Sequence, residues 1–377
     1  MIPFNRPSMA GQELEYIAAA VRNGRISGDG EFTRRCHAIL EQELPGTRAL
    51  LTTSCTHALE MTAILLDITA GDEVIIPSFT FVSTVNAFVL RGATPVFADI
   101  RADTLNLDES GVEALVTPRT RAIVAVHYAG IGCEMDALAG IARRHGLALI
   151  EDNAHGLFGR YRGRPLGTFG AMAALSFHET KNISCGEGGA LLVSDPALRE
   201  RAEIIREKGT DRSRFFRREV DKYTWIDIGS SYLPSDMLAA FLCAQLEQRT
   251  AIQARRRHIW TEYASGLAEW AGRQGARLPM VPSHCEQPYH LFYLLLPTEA
   301  ARRSLIGHLA AAGVMAVSHY VPLHRAPMAL TLQDTAPDCP VTDDVSARLL
   351  RLPFFPTLSA VEQARIIDAI NGWSAPA

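Results

Sequence analysis

The chain has 377 residues, 47% of them hydrophobic and 21% charged, enough for one large domain and a smaller companion. A formal net charge of -4 and a pI near 6.3 argue against a nucleic-acid binder, and no apolar run reaches membrane-spanning length. The seven scattered cysteines include no C-x-x-C pair and the twelve histidines no H-x-x-x-H pair, which excludes a disulfide framework and points away from a metal enzyme. The start, Met1 to Pro7, has no basic segment followed by an apolar core, so a cytoplasmic protein is expected.

Along the chain, Ser54 to Ile68 has helical apolar spacing. Glu73 to Phe79 is a short buried strand with a helix from about Thr80. Thr94 to Ile100, Arg121 to Tyr128, Leu147 to Asp152, Ala173 to Phe177 and Ala190 to Ser194 are further short apolar runs, and Ala137 to His145 reads as a helix between two of them. Such alternation predicts an α/β fold with a mainly parallel central sheet covered by helices. In these sheets ligands gather where strands end and helices begin. Helical periodicity then dominates from Asp236 to about Trp270, too long for one crossover, and predicts a bridge into a second domain. Beyond it lie a strand over Leu291 to Leu296, a helix from about Ala300 to Ala312 and a run from Val314 to Val321, an α+β pattern. The expected division is a large domain over residues 1–245 and a small C-terminal α+β domain over 246–377.

Only three of the 37 basic residues are lysines: Lys181, Lys208 and Lys222. Arginine substitutes for lysine in solvation but does not form a Schiff base with an aldehyde, because it stays protonated. Lys181 follows a short apolar strand in Ser176-Phe177-His178-Glu179-Thr180-Lys181-Asn182 and precedes the flexible Gly186-Glu187-Gly188-Gly189. That position suits a lysine holding pyridoxal 5′-phosphate (PLP); the plain alternative is a surface lysine in a loop. Thr53-Ser54-Cys55-Thr56 sits just before a helix, where free N–H groups and hydroxyls bind a phosphate or form an ordinary N-cap. The strand Leu147 to Ile150 runs into Glu151, Asp152 and His155. A strand-end carboxylate needs a cationic partner, which a pyridinium nitrogen supplies, or it caps the next turn. Pro77-Ser78-Phe79-Thr80-Phe81 ends another strand with aromatics that stack on a flat ring or pack in the core.

In this order, these segments resemble the DegT/StrS family of PLP-dependent sugar aminotransferases, of the aspartate-aminotransferase fold, from Pro3 to the final helix. Val126-His127-Tyr128-Ala129-Gly130, Tyr223-Thr224-Trp225 and His319-Tyr320-Val321-Pro322-Leu323-His324 extend the likeness. The resemblance implies that Lys181 carries the cofactor and Asp152 pairs with its ring nitrogen. It implies further that Phe81 stacks on the ring, His155 faces the ring oxygen, and Ser54, Cys55, Thr56 and Ser176 hold the phosphate. Many relatives add an asparagine from a partner subunit; Leu233 aligns there, and Ser230 or Ser231 is the expected substitute. The family's sugar 3-dehydratases have His where this chain has Lys181, which disfavours dehydration.

The implied reaction moves an amino group, through pyridoxamine phosphate, from an amino acid such as L-glutamate to a keto carbon of a nucleotide-linked deoxysugar. C4 of TDP-4-keto-6-deoxy-D-glucose is the leading acceptor; 3-amination and aminopentose formation are the family's alternatives. A bacterial homodimer with its active site at the subunit interface is expected from the resemblance. Arg206 to Lys222 carries seven basic against four acidic side chains around Phe215-Phe216. Arg212 and Arg214 are candidates for a diphosphate there, against a plain solvated charge run. Tyr320 and His324 are candidates for the sugar end, and His319 is expected to pack or cap. A dinucleotide-dependent dehydrogenase is excluded because no Gly-x-Gly-x-x-Gly follows a first strand. An aminotransferase or desulfurase acting on amino acids alone, and a catalytically silent regulator on this fold, remain as rivals.

Overall fold

The computed structural model describes residues 1–332 and 337–375. Seven strands build the central sheet: β1 (Arg48–Thr52), β2 (Glu73–Pro77), β3 (Thr94–Ala98), β4 (Thr120–Val126), β5 (Ala148–Asp152), β6 (Met172–Ser176) and β7 (Gly189–Val193). Their spatial order is β1-β7-β6-β5-β4-β2-β3. β7 pairs antiparallel with both neighbours and the remaining pairs are parallel, so six strands share one direction. β2 and β7 are buried at every position, as strands covered on both faces must be. Helices Cys55–Leu65 and Val82–Val89 cover one face with Leu59, Ile64, Val85 and Phe88. On the other, Phe32 and Leu40 of helix Glu31–Glu43 pack with Leu242 and Leu246 of helix Asp236–Glu247.

Register brings the functional ends level. Val126 pairs with Asp152, and Asp152 with Ala174. Ser176 pairs with Gly189, and Gly189 with Thr52. Because β7 runs backwards, its start lies where its neighbours finish. Six strand ends and one strand start therefore share one edge of the sheet.

A second core forms around Ile259, Tyr263, Leu267 and Trp270 of helix Arg249–Gln274, with Phe292, Leu305 and Ile366. Its small sheet contains β8 (Tyr293–Leu295), β9 (Val317–Ser318) and β10 (Leu349–Arg351), with β10 in the middle. Ile2 joins this core, donating its N–H to Gly313 O and accepting from Met315 N. In the opposite sense, Cys285 pairs with Tyr161 and packs on the large body. Chain order and spatial membership thus differ at both places.

Two expected elements change form. The long helical stretch is two helices, Asp236–Glu247 and Arg249–Gln274, joined at Gln248. The first packs on the sheet and the second turns into the small core, so one straight rod does not serve both. The run Val314 to Val321 yields only the two residues of β9, because His319 and Tyr320 leave the sheet to line a cavity, with Tyr320 at φ 31°.

Gly189 lets β7 approach the start of helix Cys55–Leu65. A Cβ there would meet Ser54 C at 2.3 Å and Cys55 N at 2.4 Å. Gly189→Ala is expected to lower stability by about 1–3 kcal/mol through overpacking, and to weaken PLP binding as this turn shifts. Denaturant midpoints and cofactor titration read the two effects.

Candidate active site

The strand ends enclose a cavity of about 570 Å³. From β1 come Ser54, Cys55 and Thr56, at the start of helix Cys55–Leu65. The Ser54 hydroxyl caps this helix by accepting from His57 N, so the ordinary N-cap and the cavity position belong to the same residue. The first N–H groups of a helix have no intrahelical acceptor and carry the positive end of its dipole. Those of Cys55 and Thr56 therefore suit a phosphate. Thr56 donates to Ser83 at 2.8 Å, and Ser176 from the end of β6 faces the same region. Burial pushes the Cys55 thiol well above its ordinary pKa, leaving it neutral at this helix start.

The end of β5 separates two acids by strand alternation. Glu151 turns away and is fully buried, accepting from Gly167 N and Phe169 N at 2.7 Å, Gly170 N at 2.8 Å and His127 Nε2 at 2.9 Å. It is a structural anchor. Asp152 turns into the cavity, with one oxygen accepting from Thr84 at 2.7 Å and the other from Ala154 N at 3.2 Å. Thr84 is in turn 2.9 Å from Thr80. The carboxylate is thus aimed, yet no basic side chain forms a salt bridge with it among the described residues.

Lys181 lines the same cavity from the loop after β6. Its amine makes no hydrogen bond or salt bridge among the described residues. Burial first, and Arg351 second, push its pKa down to about 8, while Cys55 and Asp152 act in the opposite direction. A lysine that sheds its proton near neutrality is a nucleophile rather than a solvated charge.

His155 is buried against His290, their rings stacked with centroids 4.2 Å apart. Its Nδ1 has no partner among the described residues, and burial with Lys181 holds its pKa well below the usual histidine value. An uncharged ring with an unfilled buried nitrogen suits a polar substituent of a flat ligand. Phe81 lines the cavity with its side chain more than half exposed, at 57%. Tyr320 lines the cavity too, its phenol held protonated by burial.

The remaining expected residues lie elsewhere. Ser230 is exposed and does not line this cavity, and its carbonyl accepts from Lys208 N. His324 is buried behind the site with Nδ1 2.6 Å from Ser78, and it does not line the cavity either. Arg212 pairs with Glu207 and lies over Phe216, while Arg214 pairs with Glu200. The local positive excess is smaller than the sequence count suggests, because Glu200 and Glu203 of the preceding helix reach into it. Thr84, His290, His319 and Arg351, by contrast, line the cavity without having been singled out for it. For Arg351 a signal exists: a lone arginine inside the apolar run Leu349 to Leu352.

Residues 7–371 match the model of the DegT/DnrJ/EryC1/StrS aminotransferase family. The chain belongs to that family. Among solved structures it is similar to the aminotransferase TlmJ of Streptoalloteichus hindustanus, with 28% identity, 98% of each chain covered and a TM-score of 0.90. DesV of S. venezuelae shares 34% identity over 97% of this chain and 95% of its own, with a TM-score of 0.87. Spr1654 of Streptococcus pneumoniae, described as a sugar aminotransferase, shares 25% identity over 98% of each chain, with a TM-score of 0.91. The protein is an enzyme, a PLP-dependent aminotransferase; Spr1654 is known in both PLP and PMP forms. The residues present fit that cofactor: an unpaired amine of lowered pKa, an aimed carboxylate and a helix start open to phosphate share one cavity.

The rate at which cofactor-free protein captures PLP is expected to follow the neutral fraction of Lys181. The lowered pKa makes that fraction rise through pH 8 and level off above it, where an ordinary lysine would continue rising beyond pH 10. Stopped-flow absorbance across pH 6.5–10.5 checks the inflection.

Proposed function

We propose that this enzyme transfers an amino group from L-glutamate to C4 of TDP-4-keto-6-deoxy-D-glucose. The observation that carries the transamination reading is the unpaired Lys181 amine facing the aimed Asp152 carboxylate in one cavity. PLP, when bound, supplies an electron sink that stabilises charge at the donor's α-carbon. Lys181 moves the proton at that carbon as base and then acid. Asp152, fixed by Thr84, keeps the ring nitrogen protonated. Ser54, Cys55, Thr56 and Ser176 would hold the phosphate, Phe81 would lie against the ring, and His155 would meet its oxygen substituent.

The nucleotide-sugar acceptor rests on family membership, on the sugar-aminotransferase description of Spr1654 and on the exposed Arg212–Phe216 segment. Arg212 and Arg214 are tied by partly exposed salt bridges, and such pairs contribute only about 0–1 kcal/mol. Releasing them to bind a diphosphate is therefore cheap. Tyr320 is assigned to the sugar end; His324 acts behind it through Ser78. Residues 1–245 supply most of the large, cofactor-carrying domain and the chain from 246 onward most of the small one, with Ile2 crossing into the small core and Cys285 back onto the large body. A cytoplasmic homodimer is part of the same proposal, supported by exposed Phe81, Val82 and Trp225 beside the site and the 207–230 segment. Ser230 enters as a partner-subunit contact to the phosphate.

Lys181→Ala is expected to abolish turnover, and Asp152→Asn to lower kcat by about 10²–10³-fold, the range for loss of one group that stabilises developing charge. Steady-state rates check this, and a near-normal Asp152→Asn enzyme contradicts the assignment. Replacing Arg212 and Arg214 together by Ala should raise the KM for the keto-sugar nucleotide by about tenfold or more, one lost charge-assisted contact or better. The glutamate KM should stay nearly constant, and an equal rise in both rejects the segment's role.

A further inference from the structure

Tyr289, between Pro288 and His290, holds a left-handed backbone at φ 53°. A bulky residue keeps that conformation only where its surroundings impose it. Four hydrogen bonds do so here. Pro288 O accepts from Asn182 Nδ2 at 2.6 Å and from Gln253 Nε2 at 3.1 Å, while Arg256 donates to Tyr289 O at 3.0 Å and to His290 O at 2.5 Å. The turn delivers the ring of His290, 4% exposed, to the cavity wall, where it stacks on His155. It also sets the protons on that ring. A carbonyl only accepts, so Pro288 O fixes which end of the Asn182 amide is the NH2 group. That group donates its second hydrogen bond to Gln253 Oε1 at 3.2 Å, and Asn182 Oδ1 accepts from His290 Nδ1 at 2.8 Å. His290 therefore carries its proton on Nδ1. Its Nε2 keeps a lone pair with no partner among the described residues, and burial first, then Lys181, holds the ring uncharged.

We propose that His290 Nε2 accepts a hydrogen bond from the sugar hydroxyl next to the reacting carbonyl, which makes His290 a specificity residue for α-hydroxyketone acceptors and Asn182 its positioning residue. This rests on the nucleotide-sugar reading above. Chemistry narrows the partner first. An uncharged lone pair repels the oxygens of a diphosphate, a carboxylate or a ketone, so the group it meets must be a donor. Location narrows it further. Asn182 follows Lys181 in the chain, so its bond to His290 ties the ring beside the amine that moves the proton at the reacting carbon. In a 4-keto-6-deoxyhexose, C5 bears the methyl group and the ring oxygen, and C3 alone offers a hydroxyl next to C4. The other imidazoles of the cavity have different duties. His319 Nδ1 lies 2.8 Å from the Tyr128 hydroxyl, and His155 is assigned to the oxygen substituent of the cofactor ring.

The test uses enzyme loaded with pyridoxamine phosphate and two acceptors, TDP-4-keto-6-deoxy-D-glucose and its 3-deoxy analogue. Single-turnover return of the PLP absorbance gives both rates. Wild-type protein should prefer the hydroxylated acceptor by about 10–100-fold, the loss expected when a buried acceptor is left unpaired. In His290→Leu that preference should shrink to within about threefold. Asn182→Ala, which frees the ring to turn and to change tautomer, should fall between and serves if the Leu variant does not fold. Calorimetry with unreactive TDP-6-deoxy-D-glucose and its 3-deoxy counterpart should show the same narrowing in Kd, a ratio that a merely structural loss does not move. A His290→Leu or Asn182→Ala enzyme that keeps the full preference in rate and in binding overturns the contact while leaving sugar amination intact. Wild-type protein that converts both acceptors equally well overturns it too. Conversion of neither acceptor overturns the nucleotide-sugar reading itself, and the contact with it.

Discussion

Taking one amine out of water is the constraint on which the site depends. Lys181 sits where solvation no longer holds its proton, so neighbouring groups decide its state. Asp152 favours the charged form and Arg351 the neutral one, and the balance lies near neutral pH. Such a group is useful only if nothing ties it down. Asp152 meets this condition because its oxygens are occupied by Thr84 and a backbone N–H, which aim the carboxylate without bringing it to the lysine.

Sheet register makes this arrangement possible. Adjacent parallel strands put the ends of β5 and β6 side by side, and the backward course of β7 delivers Gly189 to the same rim. Pleating then sorts the consecutive acids, Glu151 to a buried turn and Asp152 to the cavity. The helix start that follows β1 turns its free N–H groups to the same rim. Each requirement is met by backbone geometry before side-chain chemistry is added.

The parts legible in the sequence share one property: they are local. Short apolar runs mark the strands of the large body, and Lys181 and Asp152 follow directly from strand ends. Asp152 and Glu151 are distinguished by the resemblance, and the pleat supplies the physical reason. What escapes a linear reading comes from segments that meet only after folding. Thr84 reaches Asp152 from 68 residues away, and Arg351 arrives from the far end of the chain. The charge count over Arg206 to Lys222 misleads for the same reason, since Glu200 and Glu203 lie just outside the window but inside the cluster. His324 looks like a site residue by its neighbours in sequence, yet Ser78 draws its ring behind the cavity wall.

The first residues of the chain belong to the small body: Ile2 threads beside Val314, and Phe4 lies under Arg351. The polypeptide consequently crosses between the two bodies near its beginning as well as along the helix Arg249–Gln274, and it returns once more at Cys285. Swinging the small body would have to flex several covalent tethers together, like a door hung on more than one hinge pin. The guanidinium and the ring beneath it would travel as a unit, so the distance from that cation to the lysine is the natural gauge of how far the door stands open.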